Sequence, residues 1–101
     1  MQTMDNLKKL GKLDQASNDA WQKFQDFNNA AMGEGAIPVK YKELIALGVA
    51  LTTQCSYCLE IHRKSAEKAG ATQEEIAEAV MVASALRAGA TVTHGTQILS
   101  E

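Results

Sequence analysis

The chain is 101 residues long, 46% hydrophobic, and carries a formal charge of −2. That length gives one domain, spanning residues 1–101, which buries only ~60–70% of its unfolded surface and sits near the lower limit for stability alone. The slightly acidic balance, with no basic run and no interleaving of basic and aromatic residues, argues against nucleic acid or an anionic membrane as a partner.

Large anchors are few: two Phe, two Tyr and one Trp, against plentiful alanine, so helices approach closely and the core gains from oligomerisation. The opening stretch, MQTMDNLKKLGKLD, is polar and lacks the apolar centre of a signal peptide. No run reads as the ~20 apolar residues that span a bilayer. The expected location is cytoplasmic, where a structural disulfide does not persist and paired cysteines serve catalysis or metal binding.

The patterning is helical throughout, and the single proline, Pro38, falls between elements. Residues 5–10 read as a short amphipathic turn closed by Gly11. Asp14 then caps a helix to about Met32, with Ala20, Trp21, Phe24, Phe27, Ala31 and Met32 at three- and four-residue spacing. The aromatic stripe is expected in the core, as are Met4, Met32 and Met81. MGEGAIP is a loop that brings Pro38 to the first position of the next helix. Residues 39–51 form that helix, with Leu44, Ile45, Leu47, Gly48 and Leu51 as its apolar face. Thr52 or Thr53 is then available to cap a cysteine-bearing helix that ends at Gly70. Thr72 and Glu75 have the spacing of a capping box. The helix they open is expected to stop at Gly89, and a last one covers about 91–99. Between Ala79 and Ala90 the only charge is Arg87, so the helix needs cover on nearly every side, which points to a subunit interface.

The chemistry concentrates in TQCSYCLEIH. Cys55 and Cys58, three apart on a helix, place both sulfurs on one face, and His62 lies four further along the same stripe. Near a helix start, unpaired amides favour Cys55 as thiolate. If 39–51 and 55–69 form an antiparallel hairpin, Glu43 faces His62. A carboxylate there orients the imidazole and raises its basicity, as a base that must deprotonate a thiol requires. Cys55, Cys58 and His62 with the distant His94 also supply a possible zinc donor set, and a packing role for two inert thiols is a third reading. His94 otherwise reads as a helix-end cap.

A Glu twelve residues before a CxxC that is followed by xxxH resembles the AhpD-like, or carboxymuconolactone decarboxylase, family. The resemblance runs from Lys42 to Val80, and more loosely over residues 14–40 ahead of it. It implies an all-α domain of about six helices, assembled as a trimer or hexamer, with thiol-dependent peroxidase or disulfide reductase activity. In the redox-active branch the residue matching Cys58 attacks, that matching Cys55 completes the disulfide, and those matching Glu43 and His62 relay the proton. This ordering runs against the helix-start argument for Cys55. Tyr57 stands where a well-studied part of the family has a histidine between the cysteines; with a pKa near ~10 it cannot act as a neutral-pH base. The branch that gives the family its decarboxylase name lacks the cysteine pair, which argues against lyase chemistry. The expected substrate is a small hydroperoxide or a protein disulfide, and the reductant a thioredoxin-like, lipoyl or small-thiol donor. No flavin or nicotinamide signature is present, so no cofactor is expected.

Overall fold

A computed structural model describes residues 3–101; Met1 and Gln2, the start of the polar N-terminal stretch, lie outside the described residues. The described chain is all-α, with helices α1 (Leu10–Ala16), α2 (Asn18–Met32), α3 (Val39–Thr53), α4 (Ser56–Lys68) and α5 (Gln73–Gly95). Short 3-10 segments, Met4–Lys9 and Thr96–Ile98, flank them.

The centre is the α3–α4 hairpin with the start of α5 laid against it. Leu47, Ala66 and Ala71 form the buried core, with Leu44, Leu59 and Ile76 packed around it. One left-handed device ends both hairpin helices. Gln54 has φ 57° and Gly70 φ 97°. After each, a backbone N–H reaches five residues back: Cys55 to the Ala50 carbonyl at 3.0 Å and Ala71 to that of Ala66 at 2.9 Å. This is how a helix satisfies its last carbonyls and turns sharply. The expected capping box is present, with the Glu75 amide donating to Thr72 Oγ1 at 3.1 Å and the Thr72 amide to Glu75 Oε1 at 2.9 Å. Lys40 Nζ meets Glu75 Oε2 at 3.0 Å and ties α3 to this helix start.

Several boundaries differ from the sequence reading. The 3-10 turn runs on through Gly11 into α1, and the helix expected from Asp14 to Met32 breaks at Ser17, where φ is −148° and ψ 60°. There Asp14 accepts from the Asn18 side chain. Asp, Ser and Asn in succession offer the backbone local alternatives to the helix. Pro38 is the N-cap of α3 rather than its first residue. Thr52 and Thr53 cap nothing: both hydroxyls donate back to the Val49 carbonyl, at 2.9 and 3.0 Å, inside α3. Gly89 does not stop α5, which continues to Gly95. One glycine between alanines costs ~1 kcal/mol, less than abandoning a helix and nucleating another. Five α-helices therefore stand where about six helical segments were expected.

Further expectations are corrected as well. The run Gln73–Ile98 is, by length and composition, long and apolar enough to cross a bilayer, and none of it is buried within the chain. The aromatic stripe is not core either, with Phe24 53% and Phe27 70% exposed. Of the methionines expected inside, Met4 and Met81 are exposed and Met32 is half-buried. Helices α1 and α2 pack on each other and α2 only slightly on α3. They form an arm fastened by Lys42 Nζ, which donates to the carbonyls of Ala31 and Gly33 at 2.9 and 2.6 Å.

Candidate active site

The left-handed turn at Gln54 delivers Cys55 to the N-cap of α4, with extended backbone (φ −94°, ψ 97°). An N-cap side chain receives the amides that the first helical turn leaves unpaired. Here the acceptor is sulfur: the Cys58 N–H donates to Cys55 Sγ at 3.3 Å. Both cysteines are free thiols and half-buried.

Their acidities separate. Cys55 is held below the ordinary thiol value, first by a hydrogen bond from the Cys58 side chain, then by the Cys58 and Tyr57 backbone amides, which together outweigh its desolvation. Cys58 is pushed up to about 11, first by donating to the Cys55 sulfur, then by burial and by the charge on Cys55. The pair therefore loses its first proton as a unit. The negative charge rests on Cys55 and the remaining proton on Cys58. The Cys58 thiol first, and the helix-start amides second, make Cys55 the more acidic of the two, although the family resemblance gives Cys58 the attacking role.

One turn on, His62 projects from the same side of α4. Its Nδ1 lies 2.7 Å from Oε2 of Glu43 on α3. Glu43 is 7% exposed and is the one charged residue among the buried positions of the described chain. Opposite an ionised carboxylate Nδ1 is the donor, so in the neutral imidazole the lone pair falls on Nε2. A buried carboxylate without such a partner would be costly. The meeting of Glu43 and His62 expected from an antiparallel hairpin is present, although the turn lies at Gln54 rather than between residues 52 and 53. A dithiol with one mobile proton and an imidazole fixed in its basic tautomer can together perform thiol–disulfide and thiol–peroxide chemistry.

Sequence reasoning missed the neighbour of Tyr57. Asn6 Nδ2, in the N-terminal 3-10 segment, donates to Tyr57 Oη at 2.9 Å. The two residues lie 51 positions apart, so no local pattern could have paired them. The contact sets the first segment of the chain against the first turn of α4, between the cysteines.

His94 is elsewhere. It lies near the C-terminal end of α5, and its Nδ1 is 3.1 Å from Gln97 Nε2. Among the described residues no three His, Cys, Asp or Glu side chains converge to hold a metal ion. The zinc reading of Cys55, Cys58, His62 and His94 therefore finds no donor cluster.

Comparison with known proteins matches residues 19–101 to the model of the carboxymuconolactone decarboxylase family. An uncharacterized protein from the cox locus of Paracoccus denitrificans is 38% identical over 91 residues, covering 90% of this chain and 82% of its own. Two crystal structures share the fold. One is the apo form of a carboxymuconolactone decarboxylase family protein from Legionella pneumophila, with TM-score 0.79 and 30% identity over 93% of this chain and 84% of that one. The other is a protein from Methanobacterium thermoautotrophicum, with TM-score 0.79 and 29% identity over 85% of this chain and 97% of that one.

Proposed function

Because the chain belongs to the carboxymuconolactone decarboxylase family, we propose that it is a dithiol oxidoreductase of that family, reducing a small hydroperoxide or a disulfide, rather than a lactone decarboxylase. The observation that carries this reading is the buried Glu43 carboxylate, 2.7 Å from Nδ1 of a histidine one helical turn beyond the cysteine pair. A lyase acting on a lactone has no need of two thiols sharing a proton. An imidazole in its basic tautomer beside them serves a thiol that must be deprotonated before it attacks.

In the resting dithiol Cys58 holds its proton, so attack begins when His62 Nε2 accepts it. The Cys58 thiolate then displaces an alkoxide from the hydroperoxide, and the alkoxide leaves as the alcohol with the proton returned by His62. Cys58 is left as a sulfenic acid. Cys55, already the more acidic thiol, attacks that sulfur, expels water and closes the Cys55–Cys58 disulfide. With a disulfide substrate, Cys58 forms a mixed disulfide and Cys55 displaces it. Either way two electrons leave the pair, and an external thioredoxin-like, lipoyl or small-thiol donor restores it by exchange. Such a cycle belongs in a reducing compartment, consistent with the cytosol.

Turnover of an organic hydroperoxide with a dithiol reductant tests the reading. Cys58→Ser and Cys55→Ser are each expected to abolish it, and retained activity in both would exclude the mechanism. Glu43→Gln keeps an acceptor for Nδ1 but removes the charge. It is expected to lose about tenfold to a hundredfold of the ~10²–10⁴ that a positioned base supplies.

A further inference from the structure

The 3-10 segment Met4–Lys9 runs for six residues and has no buried side chain. Runs of that length are uncommon because the hydrogen-bond geometry is poor, so such a segment persists where something outside it holds it. Only Asn6 and Leu7 within it are half-buried, and Asn6 Nδ2 donates to Tyr57 Oη at 2.9 Å. Tyr57 is in turn tied to the dithiol through its backbone. The Cys58 N–H donates to Cys55 Sγ at 3.3 Å, and the Tyr57 amide favours charge on the same sulfur. While Cys55 is a thiolate these bonds are charge-assisted, roughly twice as strong as neutral ones. A disulfide sulfur is uncharged and accepts weakly. Closing the Cys55–Cys58 bond therefore leaves the amides of residues 57 and 58 as the unpaired donors that any helix start carries. The backbone that carries the Tyr57 ring is then no longer pinned.

We propose that the Met4–Lys9 segment is a redox-linked strap, docked through the Asn6–Tyr57 bond while the dithiol is reduced and released when Cys55 and Cys58 close their disulfide. The inference rests on the dithiol reading above and adds a conformational step to it. A small hydroperoxide meets the reduced pair with the strap in place. The disulfide has to meet a thioredoxin-like or lipoyl donor, and release at oxidation uncovers the first turn of α4 at that step. Coupling of this kind is reciprocal. If oxidation loosens the strap, a docked strap favours the reduced pair by the same factor, so Asn6 and Tyr57 are positioning residues for the dithiol.

Redox titration of the full chain in glutathione buffers at pH 7 tests the strap without a turnover assay. Each disulfide that closes turns one oxidised glutathione into two reduced ones. Tyr57→Phe deletes the acceptor and keeps the ring, and Asn6→Ala deletes the donor. Each is expected to shift the equilibrium about threefold to tenfold toward the disulfide, the weight of one part-buried hydrogen bond. That is about 15–30 mV toward more negative potential. The double variant should shift no further, since both changes remove one bond. In the wild type the amides of Asp5 and Asn6 are hydrogen-bonded to Thr3. Their hydrogen exchange should be faster in the oxidised chain than in the reduced one by a similar factor, and fast in both states of Tyr57→Phe. Equal exchange in the two wild-type states, a comparison that needs no variant, overturns the strap. So does an unmoved potential in either single variant, or a double variant that shifts by the sum. Failure of the dithiol reading looks different: no Cys55–Cys58 disulfide forms at any glutathione ratio, and the strap falls with it.

Discussion

At the scale of single residues, the proton shared by Cys55 and Cys58 is the feature with the most consequences. Donating to the Cys55 sulfur favours the neutral form of the Cys58 thiol, and the charge on Cys55 opposes a second ionisation, which together with burial puts Cys58 at about 11. Replacing Cys55 by Ser removes the sulfur acceptor and its negative charge and leaves the burial. The pH at which Cys58 becomes reactive toward iodoacetamide should therefore move down toward the ordinary thiol range of ~8.5. Cys58→Ala acts in the opposite sense. Cys55 loses its S–H donor but keeps the amide of residue 58, so its alkylation profile should shift upward, part of the way to the ordinary value. Profiles that stay put in both variants would show that the thiols do not share a proton. Nucleophilicity per thiolate falls as thiol acidity rises. That separates the roles: a less basic Cys55 suits the later, intramolecular step, and a more basic Cys58 suits attack once His62 has taken its proton.

At the scale of elements, legibility followed locality. The capping box at Thr72 and Glu75 and the glycine stop at Gly70 could be read because each depends on residues within one turn. The equivalent stop at Gln54 could not: glutamine at φ 57° carries no composition signal, and Thr52 and Thr53 beside it imitate an N-cap. The result moved the cap of α4 onto Cys55 itself, where the helix-start amides add to the Cys58 thiol in making Cys55 more acidic. Glu43 and His62 were legible for a different reason: two helices joined by a tight turn fix which positions face each other, even when the turn is misplaced by a residue or two. These devices have separable energetics. Gly70→Ala forces an L-residue into left-handed backbone and should destabilise by ~1–2 kcal/mol, although a Cβ there meets no atom within 4 Å. Thr72→Ala removes the cap at a cost of ~1 kcal/mol. Glu75 is held below the usual carboxylate range, first by the Thr72 amide and then by Lys40. Its contribution is therefore complete above the unfolded-state pKa of ~4.3 and is lost as pH falls through the lower folded value. Glu75→Gln should flatten that acid limb of a thermal-melt series, and an unchanged limb would assign it to other carboxylates.

At the scale of the whole molecule, the sequence marked which faces are apolar and left open what covers them. Trp21, Phe24 and Phe27 have the spacing of a core stripe, and α5 the composition of a core helix. Periodicity is the same whether the cover comes from the same chain or from another. Within one chain, among the described residues, only Glu43, Leu47, Ala50, Ala66 and Ala71 are buried, and four of these are small or charged. Such a core is too slight to offset the conformational entropy of ordering a hundred residues, roughly 1–2 kcal/mol each for the backbone alone. If the missing burial comes from association, folding and assembly are one equilibrium and stability depends on protein concentration. The melting temperature of the wild-type chain should then climb steadily over a hundredfold range of concentration. In the Phe24→Glu, Phe27→Glu arm variant it should be lower and flat. A wild-type melting temperature that ignores concentration, with the chain eluting at 10.9 kDa, would mean that one copy holds the Glu43–His62 hairpin together without help, despite the size of its core.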